Sequence, residues 1–561
     1  MTRVKLLTLF ALGMASTAFA QKRPRVDPEL LSTTQSEFDV VVVYEDDDDD
    51  NSRRVREDKV RNLGGKNLRH HGGVGMGTLR ANRSLLQELG KDSKIQAIMP
   101  DRKVTQAGAS NDYTPQQLRS VTGLSATQKG TYTGKNIGVA IIDSGVTAIN
   151  ALKGGSSCNG SRLVYSQDFT GDTGSGAAFG HGTHVASILG ADATCDGTAH
   201  NGVAPGVNLI SLKVLNSLGV GSDSKVIEAI DRAIALKSTY NIRVMNLSLG
   251  RPVFDTFAID PLCKAVEKAW KAGIVVVVAA GNMGRFAATQ GYATIASPGN
   301  SPYVITVGAV RDPNPGLATR NDDTIASYSS KGPTMLDRVV KPDLVAPGNA
   351  VVARIVTPST LASLLPNNVV DYGGQKFFRL SGTSMSAPAV SGAAALLLQK
   401  DSTLTPDQVK ARLMKTAWKG MALTSSVYDV ATNTNYNIQQ DLFTVGAGYL
   451  DIAAALASTE KIGSTQSAIS PRVVKQADGK VVLTKTYPNV TGLNVVWGTN
   501  VIWGDNVIWG DSLLLANNVI WGSNVIWGAN VSSGYNVIWG DNVIWGDCLP
   551  FSIALTAAGD N

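Results

Sequence analysis

The chain has 561 residues, of which 43% are hydrophobic and 17% are charged, and its formal net charge is +6. This is the composition of a globular protein with enough apolar material for a large core and for more than one domain. The small net charge, without a dense stripe of Lys and Arg, argues against a nucleic-acid partner.

The first segment, residues 1–20, has the pattern of an export signal. Arg3 and Lys5 precede the apolar run LLTLFALGMA, and small residues follow at positions 18–20. This order is typical of a cleaved signal peptide, and neither this run nor any later one is long enough to span a membrane. We therefore predict a signal peptide, no transmembrane segment and a secreted or extracytoplasmic protein.

Four cysteines are present, and an exported protein can use them in disulfides. They are Cys158, Cys195, Cys263 and Cys548. Four cysteines allow three pairings, which the sequence does not distinguish. Cys158 and Cys195 both lie in loop-like sequence, which favours that bridge. Cys263 lies in a helical pattern that suits a buried free thiol.

Residues 21–105 predict a small α+β unit. FDVVVVYE and KIQAIMPDR are strand patterns, the run DDDDDNSRRVREDKVR between them is interpreted as a charged, mobile stretch, and its five aspartates are interpreted as a solvated loop. The five aspartates lack the Gly and the final Glu of a calcium loop. Further on, Leu79, Leu85, Leu86 and Leu89 are spaced like one face of a helix.

Five short, apolar, β-branched runs follow Asn136 and predict strands buried on both faces. They are NIGVAIIDSG, NLISLKVL, RVMNLSLG, GIVVVVAAGN and PYVITVGAV. One intervening helix pattern places Val226, Ile230 and Ala233 on a single face, and another covers residues 261–271. Alternating strands and helices predict an α/β fold with a doubly wound, mainly parallel sheet. In such a sheet, ligands bind at the carboxyl ends of the strands.

Residues able to do acid–base and nucleophilic chemistry lie where these strands end. Asp143 follows the apolar GVAII, His181 and His184 share FGHGTHVASILG, and Ser384 lies in LSGTSMSAPAVSG. His200 is the remaining histidine after residue 105. Neither H-E-x-x-H nor a cysteine pair at zinc spacing is present, so a histidine base is favoured over a metal ligand. A serine becomes nucleophilic when an imidazole, oriented by a carboxylate, takes its proton.

The blocks VAIIDSGV, HGTHVASILG and SGTSMSAP, in this order, resemble the motifs of the subtilisin-like serine proteases. NGVAPG, KPDLVAPG and GAGYLDIAAAL extend the resemblance, which runs from about Thr114 to Ala455. The resemblance implies that Asp143 orients the imidazole, His181 is the base and Ser384 is the nucleophile. It also implies that His184 is structural and that residues 106–460 form the peptidase domain.

The resemblance extends to the oxyanion hole. Ser384 is expected to open the helix SMSAPAVSGAAALLLQ, with Pro388 in its first turn, so that free amides and the positive helix end face the reacting centre. The Ser384 N–H is then one oxyanion donor. Asn282, at the end of VVVVAAGN, matches the oxyanion-hole asparagine of the family.

Two segments match those between which the family pairs an extended peptide by main-chain hydrogen bonds. The substrate-binding residues implied are Gly219, Val220, Gly221, Ser248, Leu249, Gly250, Ala280 and Gly281. Segments 248–250 and 279–282 would line the pocket for the residue before the cut. Their Gly and Ala content predicts a roomy, largely apolar slot and a broad preference for polypeptide substrates.

Residues 21–105 resemble the propeptide of the family, which assists folding and inhibits the active site until it is cut away. We expect self-cleavage between Lys103 and Ala109. The chemistry requires no cofactor. The resemblance implies calcium as a structural ion, but no ligand set is carried over, because the loop from Asp192 to Asn201 departs from the usual calcium loop.

After a linker at residues 461–494, nine six-residue units with the consensus V-I-W-G-x-N occupy residues 495–548, and Trp takes the third place in seven of them. Residues 549–561 form a tail. Strict spacing indicates an all-β repeat architecture. About three turns of a β-helix and a stack of strands with tight turns both fit. Two interpretations of the tryptophan side chains remain open: they pack on each other, or they form a binding platform for glycans or a cell surface.

Two classes of function follow. The first is a secreted serine endopeptidase made as a self-processing zymogen. The alternative is an adhesive, surface-binding protein in which the tryptophan repeat is active and the peptidase domain is a scaffold. The complete set of Asp143, His181, Ser384 and Asn282 favours the enzyme. Clearing of casein, with and without a serine-directed inhibitor, would distinguish the two.

Overall fold

The computed structural model describes residues 26–27, 30, 36–45, 50–92, 94–101, 103–105, 123–124, 126–154, 157–172, 179–198, 200–314, 319–372, 374–429, 433–463, 467–475 and 481–484. The signal segment predicted at 1–20, most of the linker predicted at 461–494, and the repeats predicted at 495–548 lie outside the described residues, as does Cys548.

The described residues between 26 and 105 make up the N-terminal unit, whose main elements are a four-stranded antiparallel sheet in the order β2-β3-β1-β4 and two helices. Its elements are β1 (Glu37–Tyr44), α1 (Asp50–Asn62), β2 (Lys66–His71), β3 (Met76–Asn82), α2 (Arg83–Leu89), β4 (Ile95–Pro100) and a short β5 (Lys103–Thr105). The valine run of β1 is buried on both faces. Val40 and Val42 pack in the unit's own core, whereas Val41 and Val43 join the large core of the molecule. The sheet thus docks directly on the rest of the fold.

Two features of this unit differ from expectation. The stretch after the aspartates, interpreted as charged and mobile, forms the helix α1, whose exposed last turn carries Arg61 beside Glu57 and Asp58, each at 3.3 Å. Pairs at these spacings stabilise a helix even without an apolar face. Leu79 belongs to β3, because the helix begins only after Asn82, whose side chain accepts a hydrogen bond from the Leu85 amide at 2.9 Å.

The central sheet confirms the predicted mainly parallel arrangement. Its order is β15-β14-β13-β12-β6-β10-β9, with β16 also paired to β14, and only β15 runs antiparallel to its neighbour. The strands are β6 (Gly138–Asp143), β9 (Leu163–Asp168), β10 (Asn208–Lys213), β12 (Ile242–Leu247), β13 (Val275–Ala279), β14 (Ile305–Arg311), β15 (Thr324–Ile325) and β16 (Leu344–Pro347). All five apolar runs predicted to be strands are strands of this sheet.

Helices cover the sheet in two pairs. The helices α4 (His181–Gly190) and α10 (Thr383–Lys400) pack against each other, as do α6 (Asp223–Ala235) and α8 (Pro261–Lys271). The predicted face of α6 is confirmed, since Val226, Ile230 and Ala233 are all fully buried. The N-terminal unit rests on α6 and α8. It is held there partly by Arg69, which contacts Glu228 at 2.6 Å.

The remaining elements surround this core. The other helices are α3 (Ala126–Thr131), α5 (Ala193–Asp196), α7 (Lys237–Tyr240), α9 (Thr360–Leu364), α11 (Pro406–Thr416), α12 (Leu442–Val445) and α13 (Ile452–Ala457). The other strands are β7 (Lys153–Gly154), β8 (Gly160–Ser161), β11 (Val220–Ser222), β17 (Val351–Arg354), β18 (Val369–Tyr372), β19 (Gln375–Leu380), β20 (Thr424–Asp429), β21 (Thr434–Gln439), β22 (Arg472–Lys475) and β23 (Val481–Thr484). None of the described helices combines the length and apolar character that a membrane span requires.

Candidate active site

Asp143 is the last residue of β6, in the middle of the parallel sheet, so its side chain is presented at the carboxyl edge. The side chain is fully buried. Its Oδ1 accepts a hydrogen bond from the Ser144 amide at 2.6 Å, and Oδ1 and Oδ2 lie 2.8 and 2.9 Å from His181 Nδ1. The sheet therefore fixes the carboxylate, and the carboxylate fixes the imidazole.

His181 is the first residue of α4, and two glycines allow it to reach Asp143. Gly180 before it has a φ of 100°, in the left-handed region that favours glycine. A Cβ on Gly182 would lie 2.3 Å from the Gly145 carbonyl oxygen, so only glycine fits there. The G-H-G sequence thus permits the close approach of α4 to the loop after β6.

The hydrogen bond to Asp143 determines which nitrogen of His181 is basic. A carboxylate only accepts, so Nδ1 carries the proton, and in the neutral ring Nε2 keeps its lone pair. Nε2 is buried and has no hydrogen-bond partner among the described residues. The arrangement therefore leaves one nitrogen free to take a proton.

Ser384 is the second residue of α10, on the helix that packs against α4. It is 1% exposed, and its hydroxyl donates to the Ser248 carbonyl oxygen at 3.0 Å. No hydrogen bond joins this hydroxyl to His181 in the described structure. The hydroxyl must therefore leave the Ser248 carbonyl before it can donate to His181.

One detail of α10 differs from expectation. The helix begins at Thr383, so Pro388 is its sixth residue and lies inside the helix, not in the first turn. Ser384 is among the first residues, whose amides have no acceptor within the helix. The Ser384 N–H therefore still lies in the first turn, at the positive end of the helix, as predicted from the sequence.

Asn282 lies against the start of α10, and its orientation follows from its partners. Its Oδ1 accepts from the Thr383 amide and from Thr383 Oγ1, both at 3.0 Å. A backbone amide only donates, so the atom facing it must be oxygen, and Nδ2 points away from Thr383. Thr383 Oγ1 in turn accepts from the Gly281 amide at 3.1 Å. Thr383 is a residue that motif reasoning overlooked.

Of the two peptide-pairing segments, one lies in β11 and the other directly follows β12. β11 contains Val220 and Gly221, and it pairs antiparallel with β5 of the N-terminal unit, with Val104 opposite Gly221. Gly219 precedes β11 with a φ of 74°. Residues 248–250 directly follow β12. β11 is thus already paired with an extended segment of the same chain.

The slot between segments 248–250 and 279–282 contains a residue that sequence reasoning missed. A Cβ built on Gly250 would lie 3.0 Å from the Ala296 Cβ, and one built on Gly281 would lie 3.3 Å from it. Ala296 also donates its amide to the Ala280 carbonyl at 2.9 Å. The Ala296 methyl group therefore lies between segments 248–250 and 279–282. Leu249, in the first of these segments, is buried.

The other two histidines after residue 105 have structural surroundings. His184 Nε2 lies 2.8 Å from the Phe378 carbonyl oxygen and 3.2 Å from that of Val351, so it donates to them. Burial, with a smaller contribution from His181, lowers the pKa of His184 from 6.5 to about 3. The ring is therefore neutral and ties α4 to β17 and β19. His200 packs edge-on against Phe377.

The loop from Asp192 to Asn201, for which no calcium ligands are predicted, has side chains that bond to other groups of the protein. Asp192 accepts from the Thr194 amide at 2.9 Å, and Asn201 accepts from the Ala193 amide at 2.8 Å. Asp196 is paired with Arg354. No cluster of three or more His, Cys, Asp or Glu side chains suited to a metal occurs in the described ranges.

A disulfide joins Cys158 to Cys195. Cys263 is a buried free thiol in α8, and burial raises its pKa well above its usual value. A thiol in this state is not a nucleophile.

The comparisons with known proteins agree with this arrangement of fold and side chains. The model of the Subtilase family matches residues 134–448. The chain therefore belongs to this family, whose members are subtilisin-like serine peptidases and hence hydrolases.

Individual proteins of known name are also similar to this chain. Serine protease AprX of Bacillus subtilis is 40% identical over 286 residues, which are 50% of this chain and 61% of AprX. Subtilisin E of Bacillus subtilis is 33% identical over 365 residues, which are 64% of this chain and 80% of subtilisin E. Fervidolysin from Fervidobacterium pennivorans, a keratinolytic enzyme related to subtilisin, shares the fold with a TM-score of 0.58 at 21% identity, covering 78% of this chain and 62% of its own.

Proposed function

We propose that this chain is a secreted serine endopeptidase that hydrolyses peptide bonds through an acyl-enzyme on Ser384. The observation that carries the proposal is the Asp143–His181 pair. With Nδ1 bound to the carboxylate, Nε2 is a neutral, partner-free base beside the helix that bears a buried serine. Family membership supports the reading of this group as a triad.

The reaction follows the usual course of acyl transfer. His181 Nε2 takes the Ser384 proton while Oγ attacks the peptide carbonyl carbon. The resulting oxyanion accepts from the Ser384 N–H and from Asn282 Nδ2. The C–N bond then breaks, the leaving amine takes the proton from His181, and a water molecule hydrolyses the ester by the same route. Asp143 stabilises the imidazolium formed in each half-reaction.

An extended peptide would bind as an added strand on β11, in the manner of β5. Main-chain pairing makes few demands on substrate side chains. The small residues lining the slot beside Ala296 favour a broad preference for polypeptides.

The chain would be made as a zymogen. Residues 1–20 would direct export, and residues 21–105 would act as an intramolecular inhibitor. The pairing of β5 with β11 supports this, because it occupies the strand that a substrate needs. Cleavage would fall between Lys103 and Ala109.

Expression of the full chain with Ser384→Ala tests the proposal. Casein hydrolysis should be lost, and mass spectrometry should find the unprocessed chain accumulating, because no nucleophile remains. Ser386→Ala is the matched control: Ser386 Oγ donates to the Ala346 carbonyl at 3.0 Å and is not part of the site. Casein hydrolysis by the Ser384→Ala chain, or none by the wild-type chain, would overturn the proposal.

A further inference from the structure

The helix that carries Ser384 has a missing backbone hydrogen bond one turn after the nucleophile. In an α-helix, the carbonyl of residue i accepts from the N–H of residue i+4. For Ser384 that residue is Pro388, which has no N–H. The Ser384 carbonyl is therefore buried without its helical donor, a situation that costs free energy unless another donor replaces it.

The side chain of Ser248 supplies that donor. Ser248 Oγ donates to the Ser384 carbonyl at 2.8 Å, while Ser384 Oγ donates to the Ser248 carbonyl at 3.0 Å. The two serines thus form a reciprocal pair. One bond holds the helix backbone and the other holds the hydroxyl that reacts.

Ser248 is in turn held by a second buried layer. Asn246 Nδ2 donates to Ser248 Oγ at 2.9 Å, and Ser391 Oγ donates to Asn246 Oδ1 at 2.8 Å. Asn246, Ser248 and Ser391 are each fully buried. Ser391 lies on α10 itself, so the chain of hydrogen bonds leaves the helix and returns to it.

Only one arrangement of protons fits this network. The Ser384 carbonyl can only accept, so the Ser248 hydroxyl proton must point to it. Ser248 Oγ must then accept from the Asn246 amide group, which leaves Asn246 Oδ1 to accept from Ser391. Every hydroxyl and amide atom named here has one role, so the network resists rotation of any of its members.

We infer that the Ser248 hydroxyl and the Asn246 side chain are positioning residues for Ser384, a role required because Pro388 removes the helical donor. The inference rests on the proposed function of Ser384 as nucleophile. Loss of the Ser248 hydroxyl frees the first turn of α10 to shift, which moves both the Ser384 Oγ and the Ser384 N–H. Peptide pairing through the Ser248 main chain is untouched.

A double-mutant cycle on processed enzyme tests this inference. Ser248→Ala should lower kcat about tenfold with KM within about twofold, as expected for loss of one buried hydrogen bond that acts on positioning. Pro388→Ala restores the backbone N–H of residue 388, which is the helical donor that the Ser384 carbonyl lacks. The double variant should therefore return to within about threefold of the Pro388→Ala single variant, because the two changes compensate.

A second variant keeps the test decisive if Pro388→Ala does not fold. Asn246→Asp keeps the shape but replaces the donor to Ser248 with an acceptor, which competes for the Ser248 proton. Its kcat should fall about tenfold, and reaction with a small serine-directed sulfonyl fluoride should slow in parallel, since that step needs no peptide pairing. Asn368→Ala is the control: it removes a buried asparagine whose side chain donates to the Arg379 carbonyl and does not belong to the Ser248 network.

The outcomes separate the two proposals. An unchanged kcat in Ser248→Ala and Asn246→Asp, with Ser384→Ala inactive, would overturn the positioning role alone. A folded double variant no more active than Ser248→Ala would do the same. Activity remaining in Ser384→Ala would instead overturn the proposed function.

Discussion

The two sides of the site are positioned by different physical means. The base half, defined as Asp143 and His181 with α4, depends on one direct bond to a buried carboxylate. The nucleophile half, defined as Ser384 and Asn282 with α10, depends on neutral hydrogen bonds through Thr383, Ser248 and neighbours. A hydrogen bond to a charged group is strong, so one residue provides most of the positioning, whereas in a network of neutral hydrogen bonds several residues share it. Substitutions in the two halves should therefore differ in size.

The largest loss should come from the base half. Asp143→Asn replaces the acceptor with an amide, which favours the tautomer with the proton on Nε2 and removes the base, so kcat should fall about 10⁴-fold. Steady-state kinetics at neutral pH measure this. Asp371→Asn, an exposed residue paired with Lys376, is the matched control. A decrease in kcat of less than about tenfold would show that the bond between Asp143 and His181 does not by itself determine the basicity of Nε2.

A smaller loss is expected from the oxyanion side of the nucleophile half. Asn282→Ala removes the Nδ2 donor and should lower kcat by about 10²–10³-fold, with KM nearly unchanged, because the donor acts on charge formed in the transition state. Thermal unfolding should match the wild type, since Asn282 is partly exposed. Unchanged turnover in the folded variant would remove Asn282 from the mechanism.

Thr383→Val should have a smaller effect still. It deletes the hydroxyl that contacts both Asn282 and the Gly281 amide, but keeps the Thr383 N–H bond to Asn282. We expect kcat to fall about tenfold. If Thr383 acts through Asn282, adding Thr383→Val to Asn282→Ala should cost little more. Fully additive losses would show that Thr383 acts separately.

The smallest effect on activity, and a clear effect on stability, should come from His184. Its folded pKa, about 3, lies below the unfolded value of 6.5, so the unfolded chain binds more protons between these values. The free energy of unfolding should therefore fall as pH drops from 6.5 towards 3, by on the order of a few kcal/mol.

His184→Gln keeps an N–H donor for the Phe378 and Val351 carbonyls but does not titrate. Denaturant unfolding in the Ser384→Ala background, which prevents self-digestion, should show a flatter pH dependence for His184→Gln. Parallel pH curves for the two chains would mean that α4 is not anchored by a neutral imidazole.

The sequence predicted the central fold well for a simple reason. Strands buried on both faces must be apolar throughout, and five such runs separated by amphipathic helices leave few alternatives. The charged helix α1 was missed because its sequence offers only two valines as apolar residues, and of these only Val60 is buried in the core of the unit. The position of Pro388 was misjudged because the start of α10 depends on Thr383 and its contact with Asn282.

The candidate triad could be proposed from motifs, but its supporting residues could not. Asn246 and Ser391 are 145 positions apart, and Ser248 and Ser384 are 136 apart, so only the folded chain brings them together. Ala296 and Thr383 are likewise unremarkable in sequence, since small and hydroxyl residues occur throughout the chain. Their roles come from the atoms that they contact.

The disulfide between Cys158 and Cys195 has a consequence for the stability of the segment that carries His181. The two cysteines are 37 positions apart, and the covalent ring that they close contains all of α4, including His181. Reduction would return roughly 3–4 kcal/mol of loop entropy to the unfolded chain. Because the segment in this ring presents the imidazole, we expect reduction to lower the free energy of unfolding of the part of the protein that carries His181.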